Sequence, residues 1–169
     1  MTSYHFSRFF ATFGWATWAD RWRSYDPSMS DWPELRQTDW LDRAVASPRE
    51  EAYCRVIFDQ AHAGMDTWDY AWGYACMKRD GLSIRPTRNL VENIGMDGSG
   101  THNGFVPGGG PRAAPMEFPL VHPQEVAADA QQDAAIDWHT FSGVLTRNVR
   151  ALRSTSPRAS RPEARSQAG

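Results

Sequence analysis

Two carboxylates and two indoles fall within seven residues, in Asp66-Thr67-Trp68-Asp69-Tyr70-Ala71-Trp72. An ionised carboxylate beside aromatic walls can receive a proton from a sugar hydroxyl. An indole supplies a flat, amphipathic face with an N–H on its edge, the surface a pyranose ring lies against. If a helix starts at Asp66 or Thr67, Trp68 and Trp72 share one face. Asp66 and Asp69 then neighbour each other at the positive end of the helix dipole, which keeps an acid charged. The plainer alternative makes Asp66 an N-cap, Asp69 a surface acid and both tryptophans core. Gly14-Trp15-Ala16-Thr17-Trp18 followed by Trp22 poses the same choice: a tight backbone turn beside a sugar pocket, or an aromatic helix face packed inward. In Asn93-Ile94-Gly95 with Gly100-Thr101-His102-Asn103, a histidine in a glycine-rich loop suits a metal ion or a phosphate, and equally a solvated loop residue. His122 and His139 stand alone.

These residues need elements to position them, and periodicity supplies several. Trp15, Trp18 and Trp22 follow helical spacing, with a helix expected from Thr17 to Tyr25. Asp31 is placed to cap a helix carrying Pro33 near its start, and a second short helix is expected over Asp39–Ala46. Pro48 opens a better one, striped by Tyr53, Val56, Ile57 and Ala61 and stopped by Gly64. The helix beginning near Asp66 runs to Gly81. Leu82–Pro86 and Asn89–Ile94 read as strands, Glu117–Pro123 as extended chain and Val126–Trp138 as a weak helix. The Gly- and Pro-rich stretch from Gly98 to Pro115 reads as a long loop, a candidate lid.

The chain has 169 residues, eight of them tryptophan, and seven of these lie between Trp15 and Trp72. Core packing accounts for one or two, so the rest point to a shelf of aromatic faces. From Thr146 to Gly169 six arginines stand against Glu163 with almost no large apolar residue. Such a segment is expected to be disordered. Its charge could meet anionic lipid or nucleic acid, and a solvated tail with no role is the plainer alternative. The partners expected extend to weak membrane-surface contact but not to nucleic acid. No run approaches the about 20 apolar residues of a membrane span. Cys54 and Cys76 read as buried free thiols without need of a disulfide, which fits a cytoplasmic chain. No Gly-rich phosphate loop follows a strand, and no Asp-x-Asp pair ends one, so no donor-nucleotide site is found in the sequence.

Taken in order, Tyr4-His5-Phe6-Ser7-Arg8, Gly14-Trp15-Ala16-Thr17-Trp18, Tyr25-Asp26, Asp31-Trp32-Pro33-Glu34-Leu35, Phe58-Asp59, Asp66-Thr67-Trp68-Asp69-Tyr70 with Trp72, Asn93-Ile94-Gly95, Thr101-His102, Glu117-Phe118-Pro119-Leu120 and His122-Pro123 resemble the C-terminal half of bacterial nucleotide-diphospho-sugar transferases. The group is related to glycosyltransferase family two and includes proteins labelled hemolytic-protein-like. A looser similarity runs to the eukaryotic N-acetylglucosaminyltransferase I. The resemblance implies an α/β chain, the helix-rich C-terminal portion of a GT-A fold with a few short strands and a disordered tail. It implies an acceptor-side part over 1–125, a weak helical extension over 126–145 and the basic tail over 146–169. The activity implied is inverting, nucleotide-sugar-dependent hexosyl or N-acetylhexosaminyl transfer for cell-surface polysaccharide or glycan synthesis, in the cytoplasm or at the inner face of the membrane. Asp69 is implied as the catalytic base, with Asp66 the second choice. Trp15, Trp18, Trp68, Trp72, Thr101 and His102 are implied to bind substrate. A divalent Mn2+ or Mg2+ ion is implied on the donor diphosphate, with its ligands outside this sequence except for a candidate at His102. The expected partners are a nucleotide-sugar donor, a carbohydrate acceptor and an N-terminal donor-binding half, without which the chain is expected to be inactive. The competing expectations are a noncatalytic carbohydrate-binding module and a structural fragment with no function of its own.

Overall fold

The structure is a computed structural model that describes residues 1–99, 106–107 and 110–137. It is a mixed fold of short helices with one two-stranded antiparallel sheet. In chain order come β1 (Tyr4–Ser7), α1 (Ala19–Trp22), α2 (Trp32–Leu35), α3 (Trp40–Ala44), α4 (Pro48–His62), α5 (Asp69–Met77), β2 (Ser83–Pro86) and a 3-10 turn at Ile94–Asp97. β1 and β2 pair with Tyr4 opposite Pro86 and Ser7 opposite Ser83. Residues 130–137 are also helical, and Ala128 bridges to Phe6 on β1.

The core lies between α4 and α5 and is closed by α2 and α3. Ile57, Phe58 and Ala61 of α4 meet Ala71 and Tyr74 of α5, with Met29, Trp32 and Leu41 fully buried above them. Burying a side chain such as Leu41 contributes roughly 1.5–3 kcal/mol. The indole N–H of Trp32 is not left unpaired: it donates to Asp59 Oδ1 at 3.0 Å, and Arg36 grips the same carboxylate through both oxygens. α5 is buried along Ala71–Ala75 because it is walled on several sides. A Cβ at Gly73 would lie 2.2 Å from the Phe10 ring, so only glycine admits that approach.

A buried ionic cluster fastens both ends of the described chain to α4. Glu50, 1% exposed, accepts from the amide of Ala46 at 2.8 Å and from Arg8 at 3.3 Å. Asp133, 5% exposed, accepts from the Ser7 hydroxyl at 2.6 Å and from the Arg8 amide at 3.1 Å. Ser47 caps α4 by accepting from the Glu50 amide and donates its own hydroxyl to Asp137. The helix at 130–137 is thus held by polar side chains, which its thin apolar pattern concealed.

Several sequence expectations are revised. The helix expected over Thr17–Tyr25 shrinks to Ala19–Trp22, and Gly14, at φ 61°, makes the preceding segment a turn. Asp31 does not cap α2 with its side chain; its carboxylate takes a 2.8 Å hydrogen bond from Tyr74 and an ion pair from Lys78 instead. α5 starts at Asp69, three residues later than Asp66, so the two acids are not paired on one helical turn. Its left-handed exit residue is Asp80, at φ 48°, rather than Gly81. An aspartate tolerates that region better than most side chains. Asn89–Ile94 forms no strand, because the Asn89 side chain claims the neighbouring carbonyls. Glu117–Pro123 has no regular structure, and Phe118-Pro119 is a cis peptide. The expectation of disorder over 146–169 lies outside the described residues.

Candidate functional site

Four of the tryptophans form one continuous aromatic surface. The turn at Gly14 presents Trp15, α1 presents Trp22, and the start of α5 presents Trp68 and Trp72. Trp15 stacks on Trp68 with centroids 4.9 Å apart and planes at 27°. Trp22 lies 5.6 Å from Trp15 and 5.1 Å from Trp72, and Tyr25 continues the row by stacking on Trp22 at 4.4 Å and 17°. Trp72 is 6% exposed and acts as the floor, whereas Trp22 and Trp68 keep 37% and 39% of their surface open. Aromatic pairs in such tilted and offset arrangements stabilise each other by about 0.5–1.5 kcal/mol beyond burial. The open faces remain available to a planar or cyclic ligand.

Trp32, Trp40 and the floor ring Trp72 take the other role the sequence left open, that of core packing. Trp32 is core, and Trp40 packs against it half-buried. Trp18 belongs to neither group: it is 67% exposed at the start of α1 and joins no ring of the stack.

Asp69 is the first residue of α5, between Trp68 and the buried turn that carries Trp72. Both donors that hold its carboxylate bind the same oxygen. Oδ1 accepts from the Thr67 hydroxyl and, at 3.1 Å, from the amide of Tyr70. Oδ2 receives no hydrogen bond among the described residues, and no arginine or lysine pairs with the carboxylate there. The Tyr25 phenol is pushed up from its ordinary value by partial burial, then by the charges of Asp26 and Asp69. Asp66 is exposed on the loop before α5.

Asp26 is a turn residue. Its two oxygens accept from the amides and hydroxyls of Ser28 and Ser30 at 2.6–2.9 Å. These bonds, the Ser28 hydroxyl foremost, hold it well below the usual carboxylate range. Next to it, Ser24, Asp26, Asp31, Tyr74, Lys78 and Arg79 line a shallow cleft of about 40 Å³.

No protein-family model, curated protein or solved structure matches the chain. The site therefore has to be read from its own chemistry.

Of the residues singled out in the sequence, the fold brings Trp15, Trp68, Trp72 and Asp69 together. It leaves Trp18 and Asp66 at the margin, and Thr101 and His102 lie outside the described residues. Among the described residues no three His, Cys, Asp or Glu side chains converge to hold a metal ion, and no helix is long and apolar enough to cross a membrane. The two cysteines are free, and burial pushes the Cys54 thiol up to about 12 and that of Cys76 to about 11. Neither is activated as a nucleophile. Tyr25 was missed as a platform residue. Its spacing of three from Trp22 was the available signal.

Proposed function

We propose that the chain binds carbohydrate across the Trp15–Trp22–Trp68–Trp72 platform, as the acceptor-side part of an inverting, nucleotide-sugar-dependent glycosyltransferase. The observation that supports this best is the position of Asp69: a carboxylate next in the chain to Trp68 at the start of α5, with Oδ1 anchored and Oδ2 without a hydrogen bond among the described residues. The order of motifs from Tyr4 to Pro123 supports the transferase class.

In this reading an acceptor sugar lies flat on the open face of Trp68, with the Trp22 ring, inclined 69° to it, at the sugar's edge. Its hydroxyl donates to Asp69 Oδ2, which takes the proton as the oxygen attacks the anomeric carbon of the donor from the face opposite the leaving nucleoside diphosphate. One base is enough for this displacement, unlike the paired carboxylates of a glycosidase. Thr67 and the Tyr70 amide fix the carboxylate's rotation, so the proton acceptor is oriented before substrate arrives. The divalent metal implied for this class finds no ligand cluster among the described residues, and none of these steps runs through it.

A noncatalytic carbohydrate-binding module is the second reading, favoured by the platform itself. It needs the tryptophans and not Asp69. Oligosaccharide titrations followed by intrinsic tryptophan fluorescence, with Trp68→Ala as the control, test the platform. Unchanged sugar retention in that variant would sink both readings. Turnover with nucleotide-sugar donors tests the base: Asp69→Asn is expected to lose at least about 100-fold in rate while keeping acceptor affinity. Near-normal transfer by Asp69→Asn removes the base role and leaves the binding module.

A further inference from the structure

The platform depends on a contact that lies outside it. Gly14 turns the chain at φ 61° immediately before Trp15, and a Cβ there would lie 2.3 Å from Val91 Cγ2. Val91 therefore packs against the bare backbone of the turn that presents the first indole of the stack. Val91 is itself held by Asn89. The Asn89 amide nitrogen donates to the carbonyls of Val91 at 2.8 Å, Pro111 at 2.9 Å and Arg112 at 3.1 Å. The amide of Ala114 returns a 2.8 Å bond to the Asn89 carbonyl, and Glu92 accepts from the Ala113 amide at 2.9 Å. The two Asn89 side-chain N–H groups, shared among three carbonyls, and the amides of Ala113 and Ala114 thus tie 89–92 to 111–114, where no helix or strand does so.

We infer that Asn89 and Val91 are positioning residues for the sugar platform: the Asn89 clamp fixes Val91, and Val91 sets the Gly14 turn so that Trp15 lies flat on Trp68. The inference rests on the reading of that platform as a carbohydrate surface, but the brace has its own readout. Trp15 is half-buried and has no helix or strand of its own. Its orientation must come from the turn that carries it and from what that turn rests on. Glycine is required at residue 14 on both counts, since the left-handed backbone disfavours a side chain and Val91 leaves no space for one.

Stacked indoles couple their transitions, so the Trp15–Trp68 pair contributes an exciton couplet to the far-ultraviolet circular dichroism spectrum. Trp15→Phe and Trp68→Phe identify that component in the full chain. Asn89→Ala and Val91→Ala are expected to reduce the same component while thermal unfolding stays cooperative, and to weaken oligosaccharide binding about tenfold, the worth of one lost aromatic stack. Gly14→Ala is expected to abolish the component, and Val91→Ala in the same chain to restore part of it. A couplet unchanged in both Asn89→Ala and Val91→Ala overturns the brace. A couplet that falls while no oligosaccharide binds even the wild type upholds the brace and overturns the carbohydrate reading. If Asn89→Ala fails to fold, Val91→Ala carries the test, because it removes no hydrogen bond.

Discussion

Trp15 and Trp68 lie face to face, 4.9 Å between centroids, although 53 positions separate them in the chain. Neither is core. Trp68 keeps 39% of its surface open, and the pair rests on Trp72 below and Trp22 beside it. Trp22 and Trp68 leave more than a third of their surface to solvent above a buried Trp72. Two partly open rings gain less from burial than two rings placed inside.

Arg8 is the link between Glu50 and Asp133, both of which are buried. Arg8→Ala leaves two carboxylates out of water without a cation. The expected loss is about 3 kcal/mol, at the lower end for a buried pair because Arg8 keeps 30% of its side chain exposed. Urea unfolding measures it. A variant as stable as the wild type would show that the amide and hydroxyl donors around the two acids are sufficient alone.

Gly73 offers a change of sign. On helix propensity, Gly→Ala in a helix interior stabilises by about 1 kcal/mol. Here the new Cβ would lie 2.2 Å from Cε1 and 2.6 Å from Cζ of Phe10. Gly73→Ala is expected to destabilise by about 1–3 kcal/mol, as overpacking does. Phe10→Leu in the same chain should recover part of the loss in a denaturant titration.

Asp26 gives a pH dependence whose direction follows from its hydrogen bonds. Its folded pKa is depressed, chiefly by the Ser28 hydroxyl and then by Ser30. The native chain keeps it ionised where the unfolded chain, with a value of about 3.9, begins to bind a proton. Its contribution is therefore complete above that value and fades as pH falls toward the folded one. The gap in melting temperature between wild type and Asp26→Ala should narrow between about pH 7 and about pH 3. The gap itself should be modest, because the carboxylate faces solvent. A gap that widens on acidification would contradict the assignment.

Local rules are enough to make α4 legible: Ser47 and Pro48 begin it, and Gly64, at φ 96°, follows its end. Propensity and capping act over one or two turns, and α4 is long enough for them to decide. They also mark the tryptophans as too many for a core.

They fail where short elements take their shape from distant partners. Asp31 has the sequence of a cap, yet Tyr74 and Lys78, more than forty residues away, claim its oxygens. Asn89–Ile94 has the composition of a strand, yet among the described residues no strand pairs with it and one amide side chain closes the loop instead.

By itself, then, the sequence named the candidates: the indoles and the carboxylates. Only the tertiary structure decided that Trp15, Trp22, Trp68 and Trp72 share one surface, that Trp32 does not, and that Asp69 rather than Asp66 opens the helix beside them. The physical reason is range. Backbone preference and side-chain chemistry are properties of a few adjacent residues, whereas stacking, burial and shared hydrogen bonds depend on segments that meet only when the chain is folded.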